Sequence, residues 1–122
     1  MLVSPPMWLR LIAAGMGAIF AGFTYVQFND PDWPLWVGVY GMSTLLSFAA
    51  AAGHGWTSIS ALLCLGSLAW SATLLPQVRH ATVAQIFGPA AMATQAIEEA
   101  REGLGLLIVS AWAAVLWIVQ AR

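Results

Sequence analysis

The sequence predicts an all-α integral membrane protein, a four-helix bundle with up-down topology, on three observations. Of the 122 residues, 61% are hydrophobic and only 7% are charged, whereas about a quarter of the residues in a soluble domain are charged. Four stretches approach the roughly 20 apolar residues that a helix needs to cross a bilayer. Turn residues separate these stretches. Because so apolar a chain could not cover its surface with polar groups in water, the lipid bilayer is its expected solvent.

The four predicted spans form a single transmembrane domain over residues 1–122. They cover residues 9–27, 33–52, 56–75 and 101–120. Asn29-Asp30-Pro31-Asp32 separates the first two spans, because proline cannot continue a helix and disfavours helix at the residue before it. Gly53-His54-Gly55 is so short a turn that the second and third spans must form an antiparallel hairpin. Pro76 ends the third span.

The segment from Gln77 to Glu102 is mixed in character, and Gly88-Pro89 divides it in two. The part before Gly88 is predicted to be a short interfacial helix. The part after Pro89 contains good helix formers, and proline suits the first position of a helix. We therefore expect this second part to run as a helix directly into the last span.

The orientation follows from the positive residues at the span ends. With four spans, both termini lie on one side of the membrane. Arg10 and Arg122 flank that side, whereas Arg79 and Arg101 flank the other, so the count of positive residues is a tie. Because Arg79 and Arg101 have histidine or acidic neighbours, the termini are predicted to be cytoplasmic and the acidic face to be outside.

All five acidic residues belong to one face in this topology. One group follows the first span and the other precedes the last, at helix ends where an unpaired charge is costly. The candidate acidic site comprises Gln27, Asn29, Asp30, Asp32, Glu98, Glu99, Arg101 and Glu102. On a helix, Arg101 can pair with Glu98 and leave the Glu102 carboxylate free on the same stripe. Gly105, on that stripe too, would let another helix approach closely.

Two local motifs carry a resemblance to a known family. The first is Gln27-Phe28-Asn29-Asp30-Pro31-Asp32 with Trp36 and Tyr40 after it. The second is Glu98-Glu99-Ala100-Arg101-Glu102 with Gly105, Leu106 and Ala111-Trp112 after it. Together they resemble the transmembrane protein 220 family over about residues 25–112, although the middle of the chain matches only in hydrophobicity. The resemblance implies a small multi-span membrane protein and brings no established activity with it.

The two motifs allow three interpretations. They can form an ion-pair and capping network, in which Asp30 or Asp32 caps the second span and Arg101 bridges the spans. They can form a binding site for a divalent cation, through oxygen ligands, or for a polar or cationic small molecule. No recognised ligand spacing is present, so the metal and any cofactor stay unknown. In the third interpretation a glutamate of the second motif is the general acid or base of a membrane enzyme.

Small residues on the first span favour a structural function. Ala14, Ala18 and Gly22 recur every four residues and so share one face on which another helix could pack closely. With the small size of the chain, this predicts an accessory or structural subunit with membrane-protein partners or self-association; the alternative is a metal- or ligand-binding membrane protein. The serines lack a His or Lys partner, which disfavours an enzyme. The absence of clustered Lys and Arg excludes a nucleic-acid partner.

Overall fold

The structure of the chain, a computed structural model, describes residues 2–3, 5–29, 31–76 and 95–121. Within these residues the helices are α1 (Met7–Gln27), α2 (Trp33–Ala51), α3 (Thr57–Leu74) and α4 (Gln95–Gln120). All four are long and apolar enough to cross a membrane, α4 over Glu98–Gln120. The prediction of an all-α fold with four membrane spans is therefore confirmed. The predicted interfacial helix lies outside the described residues, and the up-down topology and the single domain stay predictions.

A pair of very short strands adds to the predicted helices. β1 (Leu2–Val3) pairs antiparallel with β2 (Gly55–Trp56), with Leu2 opposite Trp56. β2 follows directly on the turn that ends α2. There Gly53 has a φ of +95°, a left-handed conformation that glycine adopts without the steric cost of a Cβ atom. The sequence predicts this turn but not the strand that pairs beside it.

Backbone hydrogen bonds close the C-terminus of α2. The N–H of Gly53 donates to the carbonyl of Ala50 at 3.0 Å, and the N–H of His54 donates to the carbonyl of Ala49 at 2.8 Å. This pair of bonds, with a left-handed glycine, is the Schellman arrangement that ends many helices. The turn therefore closes the end of α2 through backbone hydrogen bonds.

The chain divides into two compact units, Met1–Leu62 with Ala113–Arg122, and Leu63–Trp112. In the first unit α1 and α2 pack as an antiparallel pair. Arg10 near the start of α1 bonds to Ala51 at the end of α2, with Nε 3.1 Å from the carbonyl oxygen. Near the other end, the hydroxyl oxygens of Thr24 and Thr44 lie 3.5 Å apart. Because sequence position rises along α1 as it falls along α2, the two helices run in opposite directions.

Small and aromatic side chains set the packing of this pair. Gly17 lies under the ring of Phe48, and a Cβ atom built on Gly17 would be 2.6 Å from Phe48 Cε1. Closer to the loop, the Phe20 and Phe23 rings pack against Tyr40 with centroid separations of 6.3 and 5.6 Å. Such aromatic pairs add about 0.5–1.5 kcal/mol each beyond the burial of their area. The α1–α2 pair is thus joined mainly through side chains.

The second unit joins α3 to α4 through the backbone. A Cβ atom built on Gly103 of α4 would be 3.1 Å from Leu74 Cβ and 3.2 Å from the Leu75 nitrogen. The hydroxyl of Ser71 donates to the Gly103 carbonyl at 2.8 Å, and both groups are buried. The close approach in this unit is therefore at Gly103, which the sequence analysis did not single out. Gly105 is half-buried.

Candidate functional site

The first motif occupies the loop between α1 and α2. The exposed Asp32 is the N-cap residue of α2, but its side chain makes no capping hydrogen bond to the helix. Its Oδ2 instead accepts a hydrogen bond of 3.2 Å from the indole Nε1 of Trp36. The expectation that Asp32 caps the second span is therefore wrong, because the indole one turn later takes the carboxylate. Asp30, the alternative cap, lies outside the described residues.

The other residues of this loop serve the ends of their own helices. The Gln27 amide, half-buried at the end of α1, donates to the Phe23 carbonyl at 3.1 Å. The Gln27 side chain therefore folds back by one turn onto its own helix. The rings of Phe28 and Trp33 pack with their centroids 5.3 Å apart, and Asn29 is exposed. The loop is thus closed by a ring contact next to its polar residues.

The second motif lies in the first turns of α4. Glu98 is exposed, whereas Glu99, Arg101 and Glu102 are half-buried. Ala100 between them is fully buried. Glu99, Arg101 and Glu102 each take part in a polar, ionic or ring interaction. The expectation that the carboxylate of Glu102 is left free is therefore wrong: half-burial next to a membrane span makes an unpartnered charge costly.

The structure describes the two motifs in different units. Gln27, Asn29 and Asp32 belong to the first unit, and the α4 residues of the second motif, Glu98–Glu102, belong to the second. Their meeting in one site therefore stays a prediction. Among the residues that the structure describes, no group of three or more His, Cys, Asp or Glu side chains could hold a metal ion.

An open groove between α1 and α2 is a feature that the sequence analysis missed. Its volume is about 490 Å³, and it is lined by Ala21, Thr24, Val37, Gly38, Gly41, Met42, Thr44 and Leu45. Gly38 and Gly41, three residues apart, are the signal in the sequence, because a Cβ atom at either would meet no atom within 4 Å. The absence of two side chains on one face of α2 leaves the groove open.

The small residues that the sequence analysis placed on one face of α1 point outward. Ala14, Ala18 and Gly22 are all exposed, and a Cβ atom on Gly22 would meet no atom within 4 Å. The buried residues of α1 form a neighbouring stripe of Leu9, Ala13, Gly17 and Phe20. α1 therefore has small residues on two faces. α2 covers the face that contains Gly17 and leaves the face with Ala14, Ala18 and Gly22 uncovered. We call Ala14, Ala18 and Gly22 the outer stripe.

A comparison with known protein families bears on these motifs. A family described as "Transmembrane family 220, helix" matches residues 19–118, most of the chain. The chain belongs to transmembrane family 220. The match includes both motifs and the whole groove, and it confirms the resemblance drawn from the sequence. Membership in transmembrane family 220, together with four apolar helices, makes this chain a small multi-pass integral membrane protein. No solved structure matches the chain.

Proposed function

We propose that this member of transmembrane family 220 is an accessory or structural subunit that packs in a larger membrane complex, against other membrane proteins or a second copy of itself. The observation that carries the proposal is the outer stripe on α1. Helices associate in lipid mainly through close packing, so small residues collect where another helix approaches. α1 already uses Gly17 in this way against α2, and the outer stripe repeats the small residues on a neighbouring face.

The groove between α1 and α2 extends this surface. Ala21 of α1 lies one residue before Gly22 of the outer stripe and lines the groove. Across the groove, Gly38 and Gly41 leave room for the side chains of an incoming helix. The outer stripe and the groove therefore offer one continuous surface, with a flat strip beside a depression, on which a helix of a partner can pack.

The experiment is co-purification in a mild detergent with a bulky residue on the outer stripe. Gly22→Leu is expected to abolish the recovery of a partner or of an oligomer, because its side chain would hold the partner helix away. Gly66→Leu is the matched control, since Gly66 is also an exposed helical glycine with open space around it. A wild-type chain that elutes as a clean monomer would count against the proposal. So would equal behaviour of the two variants.

The second candidate function is binding of a metal ion or a polar or cationic small molecule by the candidate acidic site. Its support is the half-burial of Glu99, Arg101 and Glu102 at the start of a membrane helix, where ionisable residues are usually functional. The thermal midpoint of unfolding with and without divalent cations or polyamines tests it. A shift that Glu102→Gln or Asp32→Asn removes would support the candidate; no shift with either class of ligand would argue against it.

For the orientation, we propose that the termini are cytoplasmic and that the loop after α1 is outside. The support is Arg10 at the terminal end of the α1–α2 pair, since positive residues collect on the cytoplasmic side, whereas Arg101, on the other side of the predicted topology, stands between glutamates in the sequence. Asn29→Cys in a Cys64→Ser background should react with a membrane-impermeant maleimide in intact cells. Labelling only after the cells are broken would reverse the orientation.

A further inference from the structure

The end of the α1–α2 pair that lies away from Asp32 carries basic groups and no acidic residue. Arg10 and His54 are at this end, beside the turn that follows α2. In the first unit the acidic residues are Asp30 and Asp32, which both follow α1. The 17 residues from Arg10 to Gln27 extend about 25 Å along a helix, so no carboxylate of this pair can reach Arg10. An anion that pairs with the guanidinium would have to come from outside this helix pair.

Arg10 is held in a fixed seat on the end of α2. Its Nε donates to the Ala51 carbonyl at 3.1 Å, one of the carbonyls that give a helix C-terminus its partial negative charge. The guanidinium carbon and the two terminal nitrogens lie 3.6–3.8 Å from the point where a Cβ atom on Gly53 would stand. The planar group is thus positioned by backbone on two sides, and not only by its own flexible stem.

The donors that remain are the four N–H bonds of the two terminal nitrogens, because an arginine has five and Nε uses one. In the described part of the chain, Arg10 makes its hydrogen bond to Ala51. The side chain is half-exposed. A guanidinium presents its paired N–H groups in a fork that matches the oxygens of a phosphate.

Tryptophans set the depth of this seat in the bilayer. Trp8 on α1 and Trp56 in β2 are both exposed and lie at the same end of the pair as Arg10. Tryptophan is enriched at the level of the lipid headgroups, where its ring meets hydrocarbon and its N–H meets water. At that level the abundant anion is the phosphate of a phospholipid.

We propose that Arg10, seated on the C-terminus of α2 and the Gly53 turn, binds the phosphate of an anionic phospholipid headgroup. The charge complementarity is local: a positive fork at the depth of the headgroups, with no acidic side chain of the α1–α2 pair within reach. An anionic lipid is preferred to a zwitterionic one because its phosphate has no cationic group of its own nearby. Arg10 lies before residue 19 and so outside the segment that matches the family, whereas Ala51 and Gly53 lie inside it.

Native mass spectrometry of the whole chain in detergent tests the proposal, with equimolar phosphatidylglycerol and phosphatidylcholine of the same acyl chains. The wild type should retain about five times more phosphatidylglycerol, the factor for one basic residue near an anionic surface. Arg10→Gln should bring the ratio close to one, while its amide can still donate to the Ala51 carbonyl. Arg10→Gln with Met7→Arg is the matched control. It restores the charge at a position that is 62% exposed but not on the seat, so its ratio should also be close to one.

A wild-type ratio of one overturns the proposal. A preference that survives in the double variant also overturns it, because general surface charge would then suffice. Where Arg10→Gln does not fold, Arg10→Lys replaces it: lysine keeps the charge without the fork, so its ratio should fall below that of the wild type, and an equal ratio overturns the seat. If inorganic phosphate alone binds and displaces the lipid at equal concentration, the site takes free phosphate and the lipid proposal is wrong.

Discussion

The two helix pairs of this protein each contain one glycine at a point of close approach, but the two glycines face different neighbours. Gly17 in α1 lies against the ring of Phe48, a side chain that is 44% exposed. Gly103 in α4 lies against Leu74 Cβ and the backbone at Leu75, next to the hydrogen bond from Ser71. A ring at the protein surface can turn aside, whereas a backbone cannot. The α1–α2 pair should therefore adapt to substitutions that the α3–α4 pair does not tolerate.

The largest effect is expected at Gly103. Gly103→Leu must push α3 and α4 apart, since the new side chain would meet Leu74 and Leu75 at once. Overpacking of a tight contact typically costs 1–3 kcal/mol, so we expect a loss of about 3 kcal/mol in the free energy of unfolding. Chemical unfolding in detergent measures it. The control is Gly66→Leu on α3, where the side chain enters open space. Equal losses in the two variants would show that no close contact exists at Gly103.

A smaller loss is expected at Gly17, although the geometry there is nominally tighter. The added methyl group of Gly17→Ala would lie 2.6 Å from Phe48 Cε1, and the ring can rotate outward at a cost of about 1 kcal/mol. In the background of Phe48→Ala, the same substitution should cost nothing. A double-mutant cycle of the unfolding free energies measures this coupling. If the cost persists without the ring, the contact with Phe48 is not its cause.

The hydroxyl of Ser71 should contribute a measurable part of the stability of the second pair. Ser71→Ala removes the bond to the Gly103 carbonyl, and hydrogen bonds between membrane helices average about 0.6 kcal/mol. Ser110→Ala is the control, because the Ser110 hydroxyl donates within its own helix to Leu107. The thermal midpoints of unfolding of the two variants, measured in the same detergent, test this contribution. An equal fall in both midpoints would contradict an interhelical contribution.

The smallest effect is expected for the hydroxyl pair of the first helix pair. Thr24 already donates to the Phe20 carbonyl at 2.7 Å and lies 3.5 Å from the Thr44 hydroxyl. The cross-helix contact is at the distance limit of a hydrogen bond, so Thr24→Val should cost less than about 0.5 kcal/mol. The unfolding free energies of Thr24→Val and Ser71→Ala, measured in the same detergent, show which helix pair depends more on its hydroxyl contact. A Thr24→Val cost above that of Ser71→Ala would reverse the comparison.

The four spans could be predicted because composition alone decides which segments leave water. The turn at Gly53–Gly55 and the breaks at the prolines fix the ends of those segments through the backbone. The neighbour against which each helix face packs could not be predicted in the same way. Spacing placed Ala14, Ala18 and Gly22 on one face of α1, but the rotation of α1 against α2 buries the neighbouring stripe that contains Gly17. The same kind of rotation brings Gly103 against α3.

The candidate acidic site was predictable only in its residue types. Asp32 stands at the N-cap position as the sequence indicates, yet Trp36 one turn later donates to its carboxylate. Which of the two donors a carboxylate takes depends on its rotamer and on the local packing, and sequence spacing does not fix either. In the same way, the spacing of Glu98, Arg101 and Glu102 leaves open which of these residues have partners, and Glu102 does have one.

The most direct test of the central claim, that the outer stripe of α1 packs against a partner, is site-specific photocrosslinking in native membranes. A photoreactive phenylalanine at Ala18 should give a discrete protein adduct of constant mass. The same group at Gly66, which is also exposed on a membrane helix, should give lipid adducts only. The account is contradicted if both positions give only lipid adducts, because the outer stripe of α1 would then face the bilayer.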